Sequence, residues 1–221
     1  MQKLFVLFTV SVFFSMASAC FLSRWQRRIM RTEKTIFPLQ AFFRSLALLI
    51  GLSCVFLFAA KEQSLRESIL RLFLIAVLRT AADTDRTKQL IPNRLILPAL
   101  IFRLLLYLSA LLSQEITAVA VLLHAAASLL IPLVSLAVSA LVPEGLGMGD
   151  VKLMFAIAFY LPFRESISAF FFSFLFAAAV SINRAVVGKQ SLRSKIPLAP
   201  YFLAGTVSAF IMPLLDGPGL K

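Results

Sequence analysis

Residues 116–143 read ITAVAVLLHAAASLLIPLVSLAVSALVP, a stretch with no Asp, Glu, Lys or Arg. About 20 consecutive apolar residues suffice for a helix to cross the ~30 Å hydrocarbon core of a bilayer, and this stretch exceeds that length. Lipid offers no water to an unpaired backbone N–H or C=O, so a segment of this kind must satisfy its backbone internally, as a helix does. Working outward and cutting wherever charges cluster yields further candidates on both sides. They are Leu4–Leu22, Ser45–Ala60, Ile69–Ala82 (interrupted by Arg71 and Arg79), Leu95–Gln114, the short Leu153–Phe163, Ser166–Asn183 and Ile196–Leu215. The expected fold is all-α, a polytopic membrane helix bundle of about eight transmembrane helices, with residues 1–221 as a single membrane domain.

Composition agrees. Of 221 residues, 60% are apolar and 14% charged, against roughly 45–50% and 25% in soluble domains. The net charge of +12 does not point to nucleic acid, because the basic residues lie in short runs between apolar stretches, where they orient helices in the lipid bilayer. Cys20 and Cys54 fall in apolar segments and form neither a CxxC pair nor a disulfide framework, so no metal site is expected.

Ala17-Ser18-Ala19 has the small-residue pattern of a leader cleavage site. However, Arg24, Arg27, Arg28, Arg31 and Lys34 follow the first span, and only Lys3 precedes it. The positive-inside rule places that loop in the cytoplasm and argues for an uncleaved first helix. Alternation then puts Arg86, Lys88, Arg94, Lys152, Arg184, Lys189, Arg193 and Lys195 inside as well, with both termini outside.

Acidic residues are scarce, ten in all. Asp85 follows the third apolar segment and Asp150 precedes the sixth. Two crossings separate them, and an even number returns the chain to the same face. Two carboxylates held close do not both ionise easily; one keeps its proton while the other is charged. The charged one can activate water and the protonated one can polarise a peptide carbonyl. Helix dipoles make Asp150, at a helix start, the expected base and Asp85, after a helix C-terminus, the expected proton carrier, although the effect is only about 0.3–1 kcal/mol. Gly145, Gly147 and Gly149 lead into Asp150 and permit positive φ or close backbone approach; they serve equally well to break a helix at the membrane surface. Ile91-Pro92-Asn93 reads as a short turn, with Pro92 near a helix N-terminus, where its missing N–H costs little.

Gly147-Met148-Gly149-Asp150, continued by Val151-Lys152-Leu153, has the GxGD pattern, and Asp85 with Leu90-Ile91-Pro92-Asn93 has the spacing of a companion aspartate motif. Together, over roughly Ile69 to Asn183, the chain resembles the type IV prepilin peptidases. The resemblance implies an intramembrane aspartic endopeptidase of the bacterial inner (cytoplasmic) membrane. Such an enzyme works without a cofactor and cuts short basic leaders from type IV prepilins or type II secretion pseudopilins at the cytoplasmic face. It implies Asp85 and Asp150 as the catalytic pair, with Gly147 and Gly149 shaping the second motif and Pro92, Asn93 and Lys152 belonging to the same surroundings. Longer members carry a cytoplasmic insertion with paired CxxC motifs, associated with zinc and N-methylation. Here the corresponding Ser23–Thr35 has no cysteine, so peptidase activity is expected without a zinc-supported methyltransferase site.

Asp83 competes with Asp85 for the first catalytic position; counting back from Asn93 favours Asp85. Glu144 and Asp83 place negative charge where a basic leader would approach, or are solvated loop residues. Ionisable groups inside spans are functional candidates by default. His124 is expected to be an interhelical hydrogen-bond partner. Arg103, about 15 Å beyond Asn93 at 1.5 Å per residue, is expected to face the bundle interior, to snorkel, or to pair with a substrate carboxylate. Arg71 and Arg79, eight apart, share a helix face. Two other functions stay open: a transporter component using the aspartates for protons or cations, and an inactive assembly factor.

Overall fold

The computed structural model describes residues 65–141, 146–186 and 196–215, all of its regular structure helical. The helices are α1 (Leu65–Lys88), α2 (Asn93–Leu112), α3 (Ala118–Leu141), α4 (Met148–Tyr160), α5 (Phe163–Val186) and α6 (Ala199–Leu215). The candidate spans Leu4–Leu22 and Ser45–Ala60 lie outside the described residues, as do Cys20, Cys54 and Ser23–Thr35. The chain divides into two compact units, Met1–Ala76 and Val77–Lys221. The site described below belongs wholly to the second.

Charge content decides which described helices can cross a bilayer alone. α2, α3 and α5 are long and apolar enough to do so, and α6 contains a shorter apolar stretch, Ala199–Ile211. On α2, Leu97, Ile101, Leu104, Leu105 and Leu108 are exposed, while Leu95, Ile96, Ala99, Tyr107 and Ala110 are buried. A helix apolar on both its buried and its exposed faces suits lipid on one side and protein on the other. α3 repeats this, with Leu122, Leu123, Leu129, Leu130 and Leu133 outward.

Helix ends follow local rules. At α1, Gln89 takes the left-handed conformation (φ 50°) and its N–H donates to the Asp85 carbonyl at 2.9 Å, closing the helix by one left-handed residue. At α2, Gln114 (φ 57°) and Glu115 donate to the carbonyls of Leu111 and Ala110, the paired bonds of a Schellman ending. Thr117 Oγ1 then accepts from the Ala120 N–H at 3.3 Å, capping the start of α3.

α4 is the hub. Val151, Leu153, Met154 and all of Ala156–Leu161 are buried, and α4 packs against both α2 and α3, with lighter contact to α5. It has 13 residues and therefore rises about 20 Å, short of the ~30 Å core. The sixth apolar segment thus begins earlier than expected, since the GxGD residues from Met148 onward are themselves helical. The third segment likewise runs on to Lys88, so Asp85 sits in the last turn of α1 rather than after it.

α5 and α6 form the closest helix pair. A Cβ on Gly205 would overlap Ser173 Oγ and the Ala169 carbonyl, so the backbones meet where only glycine fits, as small residues permit between membrane helices. Phe202, 1% exposed, receives Phe170 and Phe174 edge-on with centroids 6.1 Å away. This pairing holds the N-terminus of α6 beside the end of α1.

Candidate active site

Three helix termini converge: the last turn of α1, the start of α4 and the start of α6. Asp85 is 6% exposed. A buried carboxylate needs hydrogen-bond donors, and they come from far along the chain. The Ala199 N–H donates to Asp85 Oδ2 at 3.1 Å, and Leu198 supplies a second backbone N–H. These are the orphan donors that a helix N-terminus leaves unpaired. Asp85 therefore caps α6 from α1, at the positive end of that helix's dipole.

Asp150 is the third residue of α4, after the N-cap Gly147. From that position its carboxylate reaches back to a hydrogen bond from the Gly147 backbone, the acidic half of a capping box. A Cβ on Gly147 would stand 3.2 Å from Asp150 Oδ2, so a side chain there would press on the carboxylate. The glycines serve close approach, since no described glycine has positive φ. A Cβ on Gly149 would lie 3.2 Å from Ile91 Cβ. The second motif therefore rests on the turn of the first. Lys152 Nζ donates to Asn93 Oδ1 at 3.0 Å, linking the motifs a second time. Pro92 is the N-cap of α2, with φ −73°. Glu144 and Gly145 lie outside the described residues.

The two aspartates interact. Burial pushes the Asp150 carboxyl up, the negative charge of Asp85 pushes it further, and the Gly147 hydrogen bond opposes both; the result is a rise to about 6. Burial also raises Asp85, but the N–H groups of Ala199 and Leu198 counter it by stabilising the charged form. This ordering runs against the dipole-based expectation that Asp150 is the charged member. The dipole of α4 does act on Asp150, but desolvation and the neighbouring charge outweigh it, while Asp85 gains the N-terminus of α6. Asp83 pairs with Arg79 at 3.0 Å; burial raises it, and Arg79 and Arg86 oppose the rise. Asp85, not Asp83, is the carboxylate felt by Asp150.

Sequence reasoning missed Leu198, Ala199 and Tyr107, and gave Ile91 no part beyond the turn. Leu198 and Ala199 act through backbone N–H groups, which have no side-chain signature, although Pro197 and Pro200 around them mark a helix start. Ile91 matters as the surface on which Gly149 rests. Tyr107 joins Arg103 and His124 in a part-buried hydrogen-bond chain; of the options open for Arg103 the structure places it inward, and His124 is an interhelical partner.

A helical membrane protein with two interacting aspartates at adjoining helix N-termini is of the kind that carries out acid–base chemistry at a membrane face. The chain belongs to the Type IV leader peptidase family, which matches residues 72–182. The prepilin leader peptidase/N-methyltransferase of Bacillus subtilis (strain 168) is 35% identical over 137 residues, covering 62% of this chain and 53% of that protein. The chain thus spans about half the length of that relative. No solved structure matches it.

Proposed function

We propose that this protein is a prepilin leader peptidase, an intramembrane aspartic endopeptidase with Asp85 and Asp150 as its catalytic pair. Its substrates are type IV prepilins or type II secretion pseudopilins, cleaved after their short basic leader at the cytoplasmic face of the bacterial inner membrane. The observation that carries this reading is the coupling of Asp150 to Asp85, each seated at a helix N-terminus.

Asp85, held ionised by the start of α6, accepts a proton from water as the water oxygen bonds to the scissile carbonyl carbon. Asp150, holding its proton, donates it to the carbonyl oxygen, giving a neutral gem-diol. Collapse returns a proton through the dyad to the departing amine nitrogen, the C–N bond breaks, and a carboxylic acid and a free N-terminus result. Gly147 leaves room beside the Asp150 carboxylate, and Asn93 with Lys152 ties the two motif segments together. Glu144 adds negative charge that favours a basic leader, whereas the charge of Asp83 is taken up by Arg79. The backbone donors around Asp85 disfavour the transporter reading, since a cation site would surround the carboxylate with acceptors.

The experiment is single-turnover cleavage of a tagged prepilin by the purified protein in detergent containing H2(18)O, read by mass spectrometry. Direct attack by water places one 18O in the new leader carboxylate, and the mature N-terminus is unmethylated. An intact substrate across several prepilins and pseudopilins, with folded enzyme, would count against the proposal.

A further inference from the structure

Arg103 and His124 are ionisable groups within membrane-crossing helices that the dyad chemistry does not use. Such groups are costly in lipid and need a compensating role. Their contacts are specific. Arg103 Nε donates to the Phe159 carbonyl at 3.1 Å, and Arg103 Nη2 donates to Tyr107 Oη at 2.9 Å. The guanidinium also lies 4.1 Å from the centre of the Tyr107 ring. Tyr107 Oη and His124 Nδ1 are 2.7 Å apart, and His124 Nε2 is 2.9 Å from the Leu161 carbonyl. A carbonyl only accepts, so Nε2 carries the hydrogen and Nδ1 accepts from the tyrosine. One continuous chain of bonds therefore runs from the α2 arginine to the α3 histidine. It ends on two backbone carbonyls at the C-terminal end of α4.

Burial explains why those carbonyls need partners. Phe159 and Leu161 are buried at the end of α4, and the last carbonyls of a helix have no intrahelical donor, so their partners must come from other helices. A cation at a helix C-terminus also meets the negative end of the dipole. Among the described residues no carboxylate pairs with Arg103, so the end of α4 is where its charge is answered.

We propose that Arg103, Tyr107 and His124 are positioning residues, a part-buried latch that fixes the depth and rotation of α4 and so holds Asp150 in register with Asp85. α4 is pinned to α2 at its other end by the Lys152–Asn93 bond and the seat of Gly149 on Ile91. Asp150 lies about 15 Å along the helix from the latched end. A slip of one residue would move it about 1.5 Å and turn it by a quarter-turn or more. Misplacement by about 1 Å can lower turnover on the order of 100-fold.

The kinetic arm of the test rests on the peptidase reading, and a second arm does not. In the full chain, Arg103→Met is expected to lower kcat on the order of 10- to 100-fold with KM within about 2-fold. His124→Gln, which keeps a donor for the Leu161 carbonyl, retains most of the activity that His124→Leu loses. For the second arm, cysteines replace Asp85 and Asp150 in a chain with Cys20→Ser and Cys54→Ser. Their cross-linking in membranes by a short thiol-specific reagent is followed with and without Arg103→Met. Slower cross-linking in the folded variant supports the latch. The latch is overturned by an unchanged cross-linking rate, or by a kcat loss that only tracks the loss of folded protein. If the parent enzyme cleaves no prepilin, the peptidase reading fails and the cross-linking arm still decides the latch.

Discussion

Replacing Ala199 by proline removes the backbone hydrogen that points at Asp85 and puts the ring Cδ in its place, so the Asp85 carboxylate loses a donor and must also draw back. Ala199 is the first residue of α6, a position where proline's fixed φ suits the helix and the N–H has no intrahelical partner. Its N–H does have an external acceptor, Asp85 Oδ2 at 3.1 Å. A hydrogen bond to a charged group is worth about 1.5–3 kcal/mol, and 1.36 kcal/mol corresponds to one pH unit. Losing a donor to the charged form makes Asp85 harder to ionise. With Asp85 as the base, the acidic limb of kcat/KM against pH is expected to move upward by about 1–2 units, leaving the alkaline limb in place. Ala199→Ser, which keeps the N–H, leaves both limbs unmoved. The assay is cleavage of a tagged prepilin in detergent from pH 4 to 9, with thermal melting to confirm that both variants are folded. A fixed acidic limb in the proline variant, or an equal shift in the serine variant, would refute the role given to the start of α6. Movement of the alkaline limb instead would reverse the roles of the two aspartates.

Other consequences follow from the same contacts. The Asp150 carboxyl is raised from 3.8 to about 6 in the folded protein, so its contribution to stability is present below pH 4 and is lost as pH rises through 6. Asp150→Asn is therefore expected to match wild-type melting near pH 4 and to exceed it above pH 6, by on the order of 1–2 kcal/mol after solvent screening of a part-exposed group; a constant difference across that range would contradict it. Gly205→Val should cost about 3 kcal/mol or more by forcing α5 and α6 apart, measured as loss of the folded fraction in detergent, and Ser173→Ala should not rescue it because the Ala169 carbonyl still obstructs. Gly149→Val should lower kcat about 10-fold or more by pushing Ile91 away, and Ile91→Ala in the same chain should restore part of it; no recovery would mean that Ile91 is not the obstacle.

Much of the proposed site was legible in the sequence because the groups proposed to carry its chemistry are side chains at fixed spacing. Asp85 and Asp150 stand out in an acid-poor chain, and Pro92, Asn93 and Lys152 lie close to them in sequence. Their contact across α2 and α4 follows from an even number of crossings. Element ends were less legible. Met148 to Asp150 looks like a glycine-rich loop, yet it forms the first turn of α4, because Gly147 fills the N-cap without the Ser, Thr, Asp or Asn that usually marks one. The order of ionisation proposed here differs from the dipole-based expectation for a related reason. The dipole of the helix carrying each aspartate can be inferred from sequence, whereas the donors that favour a charged Asp85 are the backbone N–H groups of Leu198 and Ala199, over a hundred residues away. Arg103, Tyr107 and His124 were individually conspicuous as polar groups in apolar spans. Their joint attachment to the end of α4 was not legible, because they meet there on the backbone carbonyls of Phe159 and Leu161, which have no side-chain signature.

The most direct test of the central claim compares wild type, Asp85→Asn and Asp150→Asn in cleavage of one tagged prepilin, each variant purified and shown to be folded. The account predicts cleavage by wild type and its loss in both variants. Cleavage surviving in either folded variant would contradict a two-aspartate mechanism.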